Sequence, residues 1–213
     1  MIRKIIKGII ASLAIAILPV LGNTQMYYSP QIWILVAIGL IGSIFQPDYN
    51  LIKDKSNSND KGTEAQIIWS VYISQLLAVL EASYLRFPES VKWDMITTVS
   101  LIIMILGLAL RTWSIHTLGN YFTMHLAIQE EHKIICKGPY KYLRHPSYVG
   151  AFLTYLGTTV FLHSWFSFVA AAVMLSIAWL RRMHYEEILL INKFGREYKS
   201  YCKTAKRAIP GLW

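Results

Sequence analysis

The chain has 213 residues, of which 54% are hydrophobic and 15% are charged, against roughly 25% charged residues in an average soluble domain. This composition, with a positive mean hydropathy, argues against a soluble enzyme. The formal net charge is +9, and the two cysteines, Cys136 and Cys202, are too few for a disulfide scaffold and lie in no zinc-binding spacing.

Six apolar stretches of helical length follow one another along the chain, and each is a candidate membrane-spanning helix. The fourth is the most apolar, because residues 99–110 contain no charge and Trp93 and Trp113 flank it as interfacial aromatic residues do. The last two are separated only by His163 and Ser164, which predicts a tight helical hairpin. The stretches are residues 5–21, 32–45, 67–85, 95–115, 148–162 and 165–180.

The first stretch has a second interpretation, because Arg3, Lys4 and Lys7 precede an apolar run as in a secretory signal peptide. The run outlasts the usual 7 to 15 residues of a signal core, so we expect a retained helix, with removal as the alternative. Two polar intervals separate the helices. Residues 48–66 have the composition of a flexible loop, and residues 119–146 are too polar to span a membrane.

The positive charge is explained by membrane orientation. If the N-terminus is cytoplasmic and six spans follow, 19 of the 21 Lys and Arg residues lie in cytoplasmic segments, and only Arg86 and Lys92 face outward. This asymmetry is what the positive-inside rule predicts. We therefore expect no nucleic-acid partner, since the basic residues are spread over separate segments and form no nucleic-acid-binding module.

Most of the unusual residues lie in two cytoplasmic segments near the C-terminus. The first contains GPYKYLRHPSYVG at 138–150, where Pro146 favours a helix start and places Arg144 and His145 at a helix N-terminus. Such a position favours an anion, but an interfacial anchor on lipid phosphate explains these residues equally well. Five of the six histidines lie in the two segments without a short metal-binding box, so we expect no metal.

The second segment, RRMHYEEILLINKFGREYKSYC at 181–202, continues the last apolar stretch. A helix through it puts Arg182 and Glu186 on one face, four residues apart, where such a pair is usually a solvated salt bridge. Residues 188–191 supply an apolar face, Gly195 ends the helix, and Tyr198 and Tyr201 begin another docking surface.

These motifs resemble the isoprenylcysteine carboxyl methyltransferase family of integral-membrane, S-adenosylmethionine-dependent methyltransferases. The resemblance rests on RHPSYVG at 144–150, HKIICKGPYKYL before it and EEILLINKFGREYKSY after it, and it extends from about residue 118 to the C-terminus. It implies a cofactor pocket between the 132–148 connection and the helix after the final span. It also implies a substrate-side role for Arg182 and assigns Arg144 to the family's Arg-His-Pro motif. The positions that match cofactor contacts are His132, Lys133, Ile134, Ile135, Tyr140, His145, Pro146, Ser147, Tyr148 and Glu186.

The resemblance implies methyl transfer from S-adenosyl-L-methionine to a lipid-like acceptor that enters from the bilayer, with a prenylated cysteine carboxylate as the family's substrate. A carboxylate is ionised near neutral pH and needs no general base, and Arg182 suits it as a bidentate partner. Phospholipid amines and small thiols are alternative acceptors that would need proton removal by Glu187 or His184. An NADPH-dependent membrane sterol reductase and a non-catalytic scaffold are the remaining alternatives.

We therefore predict an all-α, polytopic membrane protein with about six spans and with both termini and the active site on the cytoplasmic side. Residues 1–117 are expected to form a membrane body on the substrate side. Residues 118–213 are expected to form the catalytic half, with membrane lipids as neighbours of both.

Overall fold

The computed structural model describes residues 2–45, 61–122 and 133–208, and α-helices account for most of these three ranges. Strand pairing within them is limited to one isolated bridge, between Leu143 and Lys206. The prediction of an all-α protein is confirmed. The helices are α1 (Ile2–Ile17), α2 (Pro30–Phe45), α3 (Thr63–Leu80), α4 (Met95–Leu118), α5 (Pro146–Phe161), α6 (Trp165–Phe194) and α7 (Arg196–Thr204).

Each of the six predicted apolar stretches forms a helix, but the helices differ in length. Three helical stretches in the described part of the chain are long and apolar enough to cross a bilayer: Thr63–Leu85, Met95–Tyr121 and Trp165–Phe194. Helices α1, α2 and α5 have 16 residues each. At 1.5 Å per residue such a helix is about 24 Å long, less than the roughly 30 Å of a hydrocarbon core.

The helix boundaries near the C-terminus agree with the signals in the sequence. Pro146 is the first residue of α5, where its missing N–H removes no helical hydrogen bond. Helix α6 follows after residues 162–164, which confirms the hairpin, and continues for 30 residues to Phe194. Gly195 then takes a φ of +55° and ends the helix. The second half of α6 therefore carries residues 181–194 beyond the apolar stretch.

Helices α4 and α5 approach each other so closely that their backbones touch. A Cβ atom added to Gly150 would lie 2.5 Å from the carbonyl oxygen of Gly107 and 2.6 Å from the backbone nitrogen of Arg111. A Cβ atom on Gly107 would lie 2.7 Å from the carbonyl oxygen of Gly150. Small residues allow membrane helices this approach, and here they fix the position of Arg111 relative to the start of α5.

Two carboxylates, Glu81 and Asp94, tie neighbouring helices together at the helix ends that lie away from Arg111 and the start of α5. Glu81, buried at the end of α3, accepts hydrogen bonds from the backbone N–H groups of Phe166 and Ser167 and from the Ser167 hydroxyl. It thereby satisfies donors in the first turn of α6. Asp94 caps α4 by accepting from the Thr97 backbone N–H at 2.8 Å, and its second oxygen lies 3.1 Å from His163 Nε2. The hairpin loop is thus tied to both neighbouring helices.

The long helices carry exposed apolar faces. Val169, Val173 and Ile177 recur every four residues along α6, and each is more than half exposed. On α4, Ile102, Ile105 and other apolar side chains are similarly exposed. A solvated helix would not present such a stripe, whereas a bilayer accommodates it.

Candidate active site

The site is built where the connection before α5 meets the second half of α6. Gly138, with a φ of +58°, opens the one-turn 3₁₀ helix Gly138–Lys141, and the chain then runs towards Pro146. The backbone N–H of Arg144 donates to the Lys206 carbonyl at 2.7 Å, and that of His145 donates to the Arg207 carbonyl at 3.1 Å. The segment after α7 therefore supports this connection from one side.

Glu187 is the carboxylate that ties these segments to α6. Its Oε1 lies 3.3 Å from Arg144 Nε and 3.2 Å from His145 Nε2, and its Oε2 lies 3.2 Å from Arg207 Nε. The side chains of Glu187, Arg144 and Arg207 are each at most 15% exposed. One carboxylate on α6 thus pairs with two half-buried arginines, one from the connection and one from the C-terminal segment.

Glu186, the next residue, takes part in a different network. The Tyr148 hydroxyl donates to Glu186 Oε2 at 2.8 Å, and Arg182 Nε donates to the same hydroxyl oxygen at 3.4 Å. Arg182 Nη1 also donates to Thr63 Oγ1 at 3.0 Å. Tyr148 therefore links the Arg182 and Glu186 side chains that a helical projection places four residues apart. The prediction of a shared face is confirmed, but the usual solvated pair is the wrong description, because Arg182 is 3% exposed.

Arg111 from α4 lies under the start of α5. Its Nη1 donates to the carbonyl and to the hydroxyl oxygen of Ser147, each at 3.2 Å. Arg111 and Ser147 are both buried. The sequence placed Arg111 among the charges that set membrane orientation, yet its side chain holds the first turn of α5.

Aromatic rings form the remaining walls. The rings of His145 and Tyr148 stack with centroids 5.6 Å apart. Tyr140 is buried, and the Tyr201 hydroxyl donates to its carbonyl oxygen at 2.6 Å. Burial, with the nearby Glu186 carboxylate, raises the pKa of Tyr140 far above its usual range. Burial likewise raises the pKa of Tyr201. Both phenols therefore stay protonated at physiological pH, and that of Tyr201 donates as a neutral hydroxyl.

The structure brings most of the predicted site residues together. Seven of them lie in the networks around Glu186, Glu187 and Arg111, and Pro146 forms the first turn of α5 between them. Ile134 instead packs in the apolar cluster that holds α7, and Lys133 is exposed. Ile135 is half-buried, and His132 lies outside the described residues. The seven are Arg144, His145, Ser147, Tyr148, Tyr140, Arg182 and Glu186.

Sequence reasoning missed four contributors to these networks. Thr63 lies far along the chain from the motifs, whereas Arg207 follows the second motif by six residues, and neither carries a local signal. Glu187 was considered only as a proton acceptor. Arg111 had a signal, since it directly follows an apolar run without charge, and a charge in a membrane helix points to a function.

No group of three or more His, Cys, Asp or Glu side chains in the described ranges is arranged to hold a metal ion. The two cysteines are unpaired thiols, with Cys136 exposed.

Comparison with known proteins identifies similar chains. Residues 100–192 match the isoprenylcysteine carboxyl methyltransferase family. A probable protein-S-isoprenylcysteine O-methyltransferase of Oryza sativa subsp. indica is 33% identical over 147 residues, which cover 68% of this chain and 76% of the rice protein. Protein-S-isoprenylcysteine O-methyltransferase B of Arabidopsis thaliana is 35% identical over 142 residues, which cover 65% and 72% of the two chains.

A solved structure of a eukaryotic intramembrane Ras methyltransferase has a similar fold. The two chains superpose with a TM-score of 0.64 at 23% sequence identity, over 96% of this chain and 73% of the other. The similarity therefore extends through the N-terminal helices, which lie before the family match.

Proposed function

The chain belongs to the isoprenylcysteine carboxyl methyltransferase family, and from this premise we propose that it transfers a methyl group from S-adenosylmethionine to the carboxylate of a prenylated cysteine. The observation that carries the proposal is the network of Arg182, Tyr148 and Glu186, in which Arg182 is buried. In this network the Arg182 cation, which suits an acceptor carboxylate, lies close to the Glu186 anion, which suits the cofactor. Both lie beside the membrane helices.

The residues around Glu186 have the chemistry that S-adenosylmethionine requires. That molecule carries ribose hydroxyls and an ammonium group, which need acceptors, and an adenine, which needs apolar or aromatic walls. Among the described residues, those that contact Glu186 do so through Oε2, and its side chain remains 33% exposed. Tyr140 and the stacked rings of His145 and Tyr148 supply aromatic surface nearby. We assign Glu186, Tyr140, His145 and Tyr148 to the cofactor on these grounds.

The predicted contacts that extend this surface are part of the same proposal. Pro146 and Ser147 form the first turn of α5 beside the rings, and their backbone groups complete the cofactor side of the site. Lys133, Ile134 and Ile135 precede the connection, and with His132 they are proposed to border its outer edge.

S-adenosylmethionine would supply the methyl group from a sulfonium: a carboxylate oxygen of the acceptor would take the methyl to form the ester, and breaking of the bond from sulfur to methyl would leave a neutral thioether. The chain's own residues do the positioning. Arg182 holds the acceptor carboxylate through its guanidinium N–H groups, and Tyr148 holds Arg182 in turn. The burial of Arg182 excludes water from this contact. No proton moves, so no general base is required.

The state of Glu187 argues against its use as the base that an amine or thiol acceptor would need. An amine or thiol would have to lose a proton, and Glu187 was the carboxylate considered for that step. Its two oxygens are engaged by Arg144, His145 and Arg207, which favour its charged form and oppose uptake of a proton.

Orientation and access form the last part of the proposal. The site lies at the ends of the helices opposite Arg86 and Lys92, and the positive-inside rule then puts the site and both termini in the cytoplasm. The apolar faces of α4 and α6 contact membrane lipids, so a prenyl chain reaches the site laterally from the bilayer.

The test uses the purified protein in phospholipid nanodiscs with methyl-labelled S-adenosylmethionine and an N-acetylated prenylcysteine. We expect label in a base-labile methyl ester. Arg182→Ala is expected to lower kcat/KM about 10- to 100-fold, which corresponds to losing a hydrogen bond to a charged group.

Arg181→Ala is the matched control. Arg181 binds Gln66 and the Lys61 carbonyl on the exposed face of α6, so its removal should leave activity within about twofold of wild type. Label found only in phospholipid or in a volatile thioether would refute the carboxylate proposal. Binding of NADPH in place of S-adenosylmethionine would refute methyl transfer itself.

A further inference from the structure

The segment just before and within the first turn of α3 touches the second half of α6. Arg181 Nη2 donates to the Lys61 carbonyl at 2.9 Å, and its Nη1 donates to Gln66 at 2.6 Å. Arg182, next in sequence, donates to Thr63 at 3.0 Å. Two consecutive arginines of α6 are therefore bound by one short stretch of chain, residues 61–66. That stretch lies outside the family match at 100–192.

The contact with Thr63 differs from the other two in burial. Thr63 is fully buried at 0% exposure and Arg182 is 3% exposed, whereas the contacts of Arg181 are exposed. A hydrogen bond that water cannot replace has the larger effect when one partner is removed. The side chain of Thr63 thus constrains a buried cation.

Hydrogen bonds from two helices together orient the Arg182 guanidinium. Arg182 Nε is held by the Tyr148 hydroxyl from α5, and Nη1 is held by the Thr63 hydroxyl from α3. Two of its three guanidinium nitrogens are therefore fixed by hydroxyl groups on two different helices. Hydrogen bonds at two nitrogens restrict the rotation of a planar guanidinium about its stem and orient its plane before any acceptor arrives.

We propose that Thr63 is a positioning residue that orients Arg182 towards the acceptor carboxylate and thereby sets the affinity of the enzyme for its acceptor. This inference rests on the proposed function, since it takes Arg182 as the carboxylate-binding group. It assigns a specific part of the site to the N-terminal half of the chain, through a hydroxyl and not only through apolar packing.

Two substitutions separate the hydroxyl from the shape of the side chain. Thr63→Val keeps the branched shape and removes the acceptor of the Arg182 hydrogen bond, while Thr63→Ser keeps the hydroxyl and loses one methyl group. We expect Thr63→Val to raise KM for the prenylcysteine about 5- to 20-fold, with KM for S-adenosylmethionine within about twofold of wild type. Thr63→Ser is expected to stay within about threefold of wild type for both.

A double-mutant cycle tests whether the effect passes through Arg182. In an Arg182→Ala background, Thr63→Val should have no further effect on kcat/KM for the acceptor, because the group that it orients is gone. Retained binding of labelled S-adenosylmethionine shows that each variant is folded. Equal acceptor KM values for the Val and Ser variants, or an undiminished Val effect in the Arg182→Ala background, would overturn the inference.

A measurement that needs no acceptor keeps this inference separate from the proposed function. Phenylglyoxal modifies arginine side chains that can leave their hydrogen-bonded positions, and mass spectrometry of the peptide containing Arg182 quantifies the product. We expect Thr63→Val to raise modification of Arg182 several-fold over Thr63→Ser, and equal modification would refute the role of Thr63. If the wild type methylates no prenylcysteine, the proposed function fails, and the modification experiment still decides whether Thr63 holds Arg182.

Discussion

The close contact between α4 and α5 makes two glycine substitutions in α5 differ sharply, although both add a single methyl group. At Gly150 the added Cβ atom would meet backbone atoms, 2.5 Å from the Gly107 oxygen and 2.6 Å from the Arg111 nitrogen. At Gly157 it would meet Met104 Cγ at 2.6 Å, while the nearest backbone atoms are at 3.4 and 3.5 Å. At Gly157 the added atom displaces one side chain, that of the buried Met104, whereas at Gly150 it must separate two helix backbones.

The magnitude follows from these distances. Separations under 3.0 Å do not occur for real Cβ atoms, so Gly150→Ala must push α4 and α5 apart by roughly 0.5 Å. Overpacking of this kind costs about 1–3 kcal/mol. Both substitutions gain the same helix propensity of about 1 kcal/mol, which cancels in their difference. Gly150→Ala is therefore expected to be about 1–3 kcal/mol less stable than Gly157→Ala, or roughly 2–12 °C lower in Tm for a chain of this size.

The assay is thermal unfolding of the two variants in detergent, followed by the intrinsic fluorescence of the seven tryptophans. A second effect distinguishes the variants, because Gly150 is three residues from Ser147 and its clash is with Arg111. Displacing α4 lengthens the 3.2 Å hydrogen bonds between these two residues, so Gly150→Ala should also weaken binding of S-adenosylmethionine. A Gly150→Ala variant as stable as Gly157→Ala would refute the reasoning.

Two further predictions concern the carboxylates. Glu187→Gln should lower the free energy of unfolding by about 1.5–3 kcal/mol, because an amide replaces the charge that three basic side chains share. The control Glu197→Gln, on the exposed face of α7, should change the free energy of unfolding little. Equal Tm values for the two variants in detergent would contradict this prediction. The hydrogen bond from the Thr97 backbone N–H, with that from His163, lowers the pKa of Asp94 to about 2 from 3.8. A lowered folded-state pKa stabilises the fold above the unfolded value and loses that effect as the carboxylate protonates. The difference in Tm between wild type and Asp94→Ala should therefore shrink as the pH falls from about 4 to about 2, and a difference that stays unchanged over that range would argue against the cap.

Local signals in the sequence were sufficient for the helices and their ends. A run of apolar residues predicts a helix wherever it occurs, and Pro146 and Gly195 act through their own backbone conformations. The motifs around Arg144 and Glu186 were equally visible, because each is a short continuous stretch. The division of roles at residue 117 stays a prediction, and the contact of Thr63 with α6 joins the two halves at the site.

The pairing of charges was not determined by these signals. Helical periodicity relates Arg182 to Glu186, but it cannot tell that a tyrosine from α5 stands between them. Nor can it separate Glu186 from Glu187, which are adjacent and chemically identical. Only the packing of the connection against α6 pairs Glu186 with Tyr148 and Glu187 with Arg144.

What the sequence by itself determined is therefore the set of helices, the family and the two segments that carry the chemistry, because all three are encoded over short stretches. Only the tertiary structure decided which distant groups complete the site: Arg111 beneath α5, Thr63 beside Arg182 and Arg207 on Glu187. The physical reason is that a buried charge is stabilised by whichever partner lies within hydrogen-bonding distance. The packing of helices that are far apart in sequence sets that distance, and local patterns in the sequence do not reveal it.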